Sequence, residues 1–252
     1  MDNTLLYNMI FKRKSFHLFR GAEGNITDKE LEDIKNTYSN LIPLYPDIKT
    51  KIEIVKESET TCKRGGEYCI LIYSEVKDNY LQNIGYIGEQ LDLYLASMDI
   101  GALWFGIGKV QKQTIGNMQY VIMFSIAKMP KDKFRRDMFK AKRKTLDEVY
   151  SGGSLSDIIN VARFSPSACN SQPWYVKDID GKISIYRYKK QGKRGIMPAD
   201  KVVYYNSIDI GIFMLIFEVC LKHENIAFSK TMYVDTMELE KELTLVAEYT
   251  LN

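Results

Sequence analysis

The ten residues SPSACNSQPW, at positions 165–174, concentrate small hydroxyls and amides between two prolines. They follow an amphipathic helical pattern and precede a run of alternating apolar residues, which predicts a turn between a helix and a strand. Ser167, Asn170 and Gln172 would offer hydrogen-bond donors and acceptors there without bulk, which suits the polar edge of a flat heteroaromatic ring. The same composition is also typical of a capped loop whose side chains satisfy its own backbone.

A second candidate functional segment is KDKFRRDMFKAKRK, at residues 131–144, which concentrates positive charge. Such a run is typical of a solvated basic face or of a nucleic-acid-binding patch. Asp132 and Asp137 interrupt the run, and exposed aromatic residues do not recur in it as they do in a nucleic-acid groove. The pattern therefore argues against nucleic acid as a partner.

The composition is that of a globular protein with a substantial core. Of the 252 residues, 45% are hydrophobic and 27% are charged, which is typical of a globular protein. The net charge of +3 is too small to indicate binding to nucleic acid or to a membrane. The four cysteines show no CxxC or paired metal spacing, which favours free thiols and no metal. The most apolar run, residues 210–221, contains Glu218 and falls short of the roughly 20 residues that span a bilayer. With no signal-peptide pattern at its start, the chain is expected to be cytoplasmic.

The chain also contains a weak internal repeat. Three pairs of segments recur in the same order: LEDIKN with LSDIIN at an offset of 124, NIGYIG with NSIDIG at 123, and KRKS with KRKT at 130. This order predicts a duplication, with a first half at 1–130, a basic connecting segment at 131–150 and a second half at 151–252. Two related halves would be expected to associate as a pseudo-dimer within one chain.

In each half, a basic tetrapeptide is predicted to lead into a capped helix. In the first, Thr27 and Glu30 match a capping box, and Leu31, Ile34 and Tyr38 form the buried stripe. In the second, Ser154 and Asp157 are the predicted caps of a helix over 155–164, which must end near Pro166.

Strands and a long apolar helix follow in each half. The strands are KIEIV, EYCILIYS and YVIMFSIAK in the first half, and a hairpin turning at Asp180-Gly181 in the second. The long helices are predicted at 79–99 and about 204–222. Gly85 and Gly88 would let another backbone approach the first helix, and Gly101 would cap its end. The fold class expected is α+β, with helices on mostly antiparallel or mixed sheets.

Several of these segments together resemble the FMN-dependent nitroreductase superfamily. ARFSPSACNSQPW resembles that family's AxxxPSxxNxQPW segment, and FKRKSFHLF resembles its N-terminal basic motif. GEQLDLYLASMDIGALWFGIG is similar to the long interface helix and the glycine loop after it, and FKAKRKTLDEV to the C-terminal basic element. Because LIPLYPDIKT in the first half lacks the signature, the resemblance implies one flavin site per chain, in an internally duplicated, nitroreductase-like fold.

The resemblance also implies which residues contact FMN. Arg13 and Arg143 would clamp the phosphate with help from lysines, and the glycine loop would approach the N5/O4 edge of the ring. His17 stands where the family has a third cation, and it is also consistent with an ordinary surface histidine. The implied cofactor contacts are Arg13, Lys14, Ser15, Gly106, Ile107, Gly108, Lys142, Arg143, Pro166, Ser167, Ala168, Asn170 and Gln172.

The chemistry implied is hydride transfer through the flavin, with no catalytic side chain. NADH or NADPH would be the donor, and a nitroaromatic, a quinone or a similar small electrophile the acceptor. Other open interpretations are reductive dehalogenation or ene reduction, a non-catalytic flavin-binding protein, and a basic nucleic-acid module. Residues 186–205 are a candidate covering segment of the pocket. The expected assembly is a monomer, itself a pseudo-dimer, or a weak homo-oligomer.

Overall fold

The computed structural model describes residues 1–189, 197–238 and 241–252. The chain forms two compact units. The first comprises Met1–Tyr80 and Ile87–Met138, and the second comprises Leu81–Tyr86 and Phe139–Asn252. Part of the candidate covering segment 186–205 lies outside the described residues.

Three helices belong wholly or mostly to the first unit. They are α1 (Asn3–Lys12), α2 (Asp28–Ser39) and the greater part of α3 (Tyr80–Ser97). The capping box of α2 is confirmed, since the Glu30 amide donates to the Thr27 hydroxyl and the Thr27 amide donates to the Glu30 carboxylate. Of the predicted stripe, Ile34 and Tyr38 are buried and Leu31 is half-buried. Local capping therefore fixes where this helix begins.

An antiparallel sheet of five strands completes the first unit. Its strands are β1 (Thr50–Lys56), β2 (Tyr68–Ser74), β3 (Ile100–Phe105), β4 (Thr114–Ile115) and β5 (Met118–Lys128). Their order is β1-β2-β5-β3, with β4 paired to β5. The buried cluster on this sheet includes Phe16, Leu71, Tyr73 and Met123.

The role predicted for Gly101 is wrong. Helix α3 ends at Ser97, Met98 is its C-cap, and Gly101 lies inside β3. A Cβ at Gly101 would come within 2.7 Å of the Phe16 ring and 2.6 Å of Met129 Cγ. Gly101 is therefore required by packing within a strand. A glycine shortly after a helix gives the same sequence pattern whether it caps the helix or lies in the next strand.

The second unit is built on another five-stranded sheet. Its strands are β6 (Tyr150–Ser151), β7 (Trp174–Ile179), β8 (Lys182–Tyr188), β9 (Phe228–Met232) and β10 (Leu243–Leu251). Their order is β6-β7-β8-β10-β9, and β6 pairs with β7 in parallel while the other pairs are antiparallel. The predicted hairpin is confirmed: Asp180 and Gly181 connect β7 to β8 with φ angles of 51° and 78°. Both units are thus α+β, with antiparallel or mixed sheets.

Two helices lie wholly within the second unit. They are α4 (Ser156–Ala162) and α5 (Val202–His223). The cap predicted for α4 is wrong: Leu155 occupies the N-cap without a side-chain bond, while the Ser154 hydroxyl and amide donate to Asp178. The Asp178 carboxylate on β7 therefore accepts the bonds from Ser154, which the local sequence pattern assigns to the helix.

Helix α5 is the core of the second unit. Its apolar stretch is longer than the run seen in the sequence: Ala199–His223 has the length and composition of a membrane span, but 83% of its most apolar window is buried within the protein. Glu218 on this helix accepts bonds from Tyr86, Tyr249 and Lys230 at 2.7–2.8 Å. A buried, fully partnered carboxylate is typical of a core helix rather than of a lipid-facing one.

The beginning of α3 crosses α5 at very short range. A Cβ at Gly85 would overlap the carbonyl oxygen of Ile208, and a Cβ at Gly211 would overlap that of Gln82. The predicted close approach at Gly85 is therefore confirmed. At Gly88 the neighbour is instead the Trp104 ring. Ile208 follows Gly85 by 123 positions, which is the offset of the NIGYIG and NSIDIG segments. This coincidence supports the duplication, which stays a prediction.

Candidate functional site

The turn at 165–174 is a strained, tightly bonded corner between α4 and β7. Cys169, Asn170 and Gln172 have φ angles of 51°, 55° and 50°, a left-handed region that non-glycine residues adopt only when their surroundings hold them there. Inside the turn, the Ser167 hydroxyl accepts a bond of 3.0 Å from the Gln172 amide. Pro166, Ser167 and Ala168 are half-buried. Directly after the turn, Trp174 is fully buried and stacks on Phe213.

Asp209 of α5 holds this turn from below. Its carboxylate accepts bonds from the Ala168 amide at 3.0 Å and from the Ser171 hydroxyl at 3.2 Å. Asn206, one helical turn earlier, accepts from the same hydroxyl at 3.2 Å. Both acceptors are 3% exposed. The left-handed residues are thus held from outside the turn as well as from within it.

Burial gives the Asp209 carboxyl unusual acid–base behaviour. Removal from water raises the pKa of Asp209 to about 7, because the bonds from Ala168 and Ser171 favour the ionised form too weakly to compensate. The anchor of the turn therefore changes its protonation state near neutral pH.

The basic segment locks onto the same turn within the second unit. The Arg143 guanidinium donates to the Asn170 side-chain oxygen at 2.8 Å and to the Phe164 carbonyl at 3.2 Å. The Asn170 amide in turn donates to the Lys142 carbonyl at 3.2 Å. Two elements singled out separately in the sequence thus meet in one cluster. Lys142 and Asn170 are exposed, so that cluster presents a cation and an amide to its surroundings.

Lys144 is a member of this cluster that the sequence reasoning missed. Its backbone amide donates to the Gln172 side chain at 2.7 Å, and its buried ammonium donates to the Gln172 carbonyl at 2.9 Å. Asp209 and Asn206 were missed as well. An acidic residue in an otherwise apolar helix is a signal that could have found Asp209.

In the first unit, Arg13 is buried among acidic side chains. Its Nε donates to Asp92 Oδ2 at 2.6 Å, lies 3.7 Å from Glu89 Oε1, and its Nη2 donates to Ser15 at 3.0 Å. Burial works against the charge, but Asp92 and Glu89 outweigh it, so the pKa of Arg13 is raised. The arginine is 6% exposed. Its predicted contact with a phosphate stays a prediction, and such a phosphate would have to share the guanidinium with Asp92.

Glu89 is the least satisfied member of that group. It is fully buried, and among the described residues neither carboxylate oxygen has a hydrogen-bond partner. Burial raises the pKa of Glu89 well above its usual range, against the opposing effect of Arg13. Glu89 therefore releases its proton less readily than an ordinary glutamate, beside the Arg13–Asp92 ion pair.

The other predicted positions of the first unit lie near β3. Ser15 forms an isolated parallel bridge with Ala102, and Lys14 is exposed and donates to the Lys133 carbonyl at 3.0 Å. The glycine loop, residues 106–108, follows β3 directly. Within it, Ile107 is exposed, whereas a Cβ at Gly108 would come within 2.5 Å of Met123 Cε. Packing inside the unit therefore already explains Gly108. His17 is exposed, as a surface histidine would be.

The donor chemistry of the second-unit cluster is compatible with FMN. Arg143 and Lys142 supply positive charge for a phosphate, and Ser167 and Asn170 supply groups that bond a heteroaromatic edge. A rigid turn carrying such groups is what a flat, anionic cofactor requires.

Comparison with solved structures gives the fold. A structure described as a putative nitroreductase from Thermotoga maritima MSB8 is 18% identical, with a TM-score of 0.60, over 98% of this chain and 92% of that one. Partial similarity also extends to two structures at lower TM-scores. One is described as a putative NADH dehydrogenase/NAD(P)H nitroreductase from Parabacteroides distasonis (TM-score 0.44, 10% identity, 60% and 99% coverage). The other is described as a putative NADH oxidase from Clostridium acetobutylicum (TM-score 0.40, 12% identity, 56% and 96% coverage).

A search among curated proteins finds no match. A protein-family profile, in contrast, matches residues 5–220, a span that includes the basic N-terminal motif, the glycine loop and the SPSACNSQPW turn. The profile carries the description "Putative TM nitroreductase". Because the match covers most of the chain, this protein belongs to that nitroreductase family.

Proposed function

We propose that this protein is an FMN-dependent NAD(P)H oxidoreductase that reduces a nitroaromatic, a quinone or a similar small electrophile. The observation that carries the proposal is the interlocked cluster of the second unit. There Arg143 meets Asn170, Lys144 meets Gln172, and Asp209 supports the turn. A turn held in a strained conformation by two separate elements, the basic segment and α5, is a costly arrangement for a mere connection, and such strain concentrates at ligand sites.

The residues of the second unit would bind and orient the cofactor. Lys142 and Arg143 would neutralise the phosphate, and Ser167 and Asn170 would bond to the polar edge of the ring. Pro166, Ala168 and Gln172 would shape the turn. The contacts that the family resemblance implies for Arg13, Lys14, Ser15 and residues 106–108 of the first unit stay separate predictions.

FMN, when bound, would supply the redox chemistry by accepting a hydride from NADH or NADPH and delivering it to the electrophile. The chain's own task would be orientation and electrostatic support rather than proton transfer by a side chain. We further propose that the protein works in the cytoplasm as a monomer or weak homo-oligomer, without nucleic acid or membrane as a partner.

The first test is spectroscopic. Protein purified with added FMN should be yellow after gel filtration, with about one flavin per chain, and should bleach when NADH or NADPH is added anaerobically. A yellow protein that neither donor bleaches would be a non-catalytic flavin-binding protein. A protein that remains colourless at saturating FMN would refute the proposal altogether.

The second test addresses the residues. Asn170→Ala should lower FMN retention at least tenfold, because it removes both the ring contact and the bond from Arg143. Asn36→Ala, at an exposed position of α2, is the matched control and should retain FMN. Equal retention by the two variants would show that the cofactor does not use the turn.

A further inference from the structure

A buried cluster in the first unit combines two thiols with a carboxylate. One ligand atom from each of Glu57, Cys62 and Cys69 lies within 4.8 Å of the other two. Both cysteines are fully buried in the apolar cluster on the sheet, and Glu57 is half-buried. Cysteine alone packs well in such a core, and Glu57 adds a carboxylate beside the two thiols.

The Glu57 carboxylate is held in a fixed orientation. Its Oε1 accepts bonds from the amides of Arg64 and Gly66 at 3.2 and 3.0 Å and from the Ser125 hydroxyl at 2.8 Å. Its Oε2 accepts a bond from the Gly65 amide at 3.1 Å. A carboxylate oxygen has room for a second partner. Outer contacts of this kind are what orient a carboxylate that binds a metal.

Thr60 positions the two thiols. Its hydroxyl lies 3.6 Å from Cys69 Sγ and accepts a bond of 3.1 Å from the Cys62 amide. Gly66 completes the arrangement, because a Cβ there would overlap the Ser125 hydroxyl that bonds Glu57.

We propose that Glu57, Cys62 and Cys69 bind one zinc ion. Two thiolates and a carboxylate form a donor set that zinc accepts, and a tetrahedral ion would keep one position for water or a hydroxyl. Binding replaces the two thiol protons, which leave to solvent, and involves no change of oxidation state. The half-buried Glu57 marks the side from which the ion would enter.

This ion would stabilise the loop between β1 and β2. Thr61, next to Cys62, exchanges two bonds with Lys109: its amide donates to the Lys109 carbonyl at 3.2 Å, and its hydroxyl accepts from the Lys109 amide at 2.8 Å. Lys109 directly follows the glycine loop. A filled metal site would thus fix both loops, whether or not the protein binds a flavin.

The experiment is a titration of the full-length, thiol-reduced, metal-free protein with Co²⁺ and then Zn²⁺. We expect one Co²⁺ per chain, with thiolate-to-cobalt charge-transfer absorption that Zn²⁺ removes. Cys62→Ser, Cys69→Ser and Glu57→Gln should each weaken Co²⁺ binding at least tenfold. Cys169→Ser and Glu59→Gln are matched controls at exposed positions and should bind like the parent protein.

Two results would overturn the proposal, and neither depends on flavin. One is the absence of a charge-transfer band, or a band that survives in all three site variants. The other is a Cys62–Cys69 disulfide in protein isolated without reductant, detected as two titratable thiols instead of four in denaturant. Since the parent protein is titrated directly, the first result stands even if a variant fails to fold.

Discussion

Asp209 allows a quantitative prediction about the turn of the nitroreductase signature. In the folded chain its pKa is about 7, against an ordinary value of 3.8. The carboxyl therefore binds its proton more tightly in the folded than in the unfolded chain, and the free energy of unfolding must fall as pH rises from about 4 to about 7. Above pH 7 the group is ionised in both states, and its contribution no longer changes.

The size of this loss of stability follows from the difference between the folded and the ordinary pKa of Asp209. At about 1.4 kcal/mol per pH unit, a pKa moved from 3.8 to about 7 amounts to a loss of about 4 kcal/mol across that range. Asp209→Asn removes the titration, and its side-chain oxygen can still accept from the Ala168 amide. The variant should therefore gain about 4 kcal/mol relative to the parent between pH 4 and pH 8.

The assay is urea unfolding at several pH values, read by the fluorescence of Trp174, which is buried beside the turn. Trp104→Phe in both proteins leaves Trp174 as the single tryptophan, since the chain has two. A difference in unfolding free energy between the parent protein and the Asp209→Asn variant that stays constant from pH 4 to pH 8 would refute this prediction. That result would mean that the carboxyl reaches water and ionises normally.

Two further substitutions test the packing on which the site depends. Gly85→Ala should destabilise the second unit by about 1–3 kcal/mol or more through overpacking against α5, whereas Gly153→Ala, with open space around it, should be nearly neutral in the same thermal unfolding assay. Arg13→Met should cost about 3–5 kcal/mol because it leaves the buried carboxylate of Asp92 without its cationic partner. Asp92→Asn in the Arg13→Met background should restore part of that loss, and no restoration would contradict the ion-pair explanation.

Features that depend on a few neighbouring residues could be predicted from the sequence. The Thr27–Glu30 capping box and the Asp180-Gly181 hairpin require only local backbone conformations, and both are confirmed. Gly101 and Ser154 were misassigned because their surroundings are set by distant residues. The Phe16 ring occupies the space beside Gly101, and the Asp178 carboxylate takes the hydroxyl of Ser154.

The candidate site shows the same division between local and distant causes. SPSACNSQPW and the basic segment were visible as separate motifs, but the bond between Arg143 and Asn170 joins positions 27 residues apart. Asp209 stood out as an acid in an apolar helix, but Glu218 does so as well, and the sequence does not show which of the two reaches the turn. The contribution of Asp209 depends on where α5 passes beneath the turn, which only the folded chain reveals.

The proposed metal site at Glu57, Cys62 and Cys69 could not be predicted from a sequence motif. Cys62 and Cys69 are separated by six residues, which matches no common metal-ligand spacing. The loop that joins β1 to β2 brings them together, and Glu57 at its start adds the third donor. Spacing rules describe ligands held by standard turns, whereas here Thr60, Gly66 and Ser125 position the donors. A metal site assembled in this way can be recognised only from the hydrogen bonds that orient its donors.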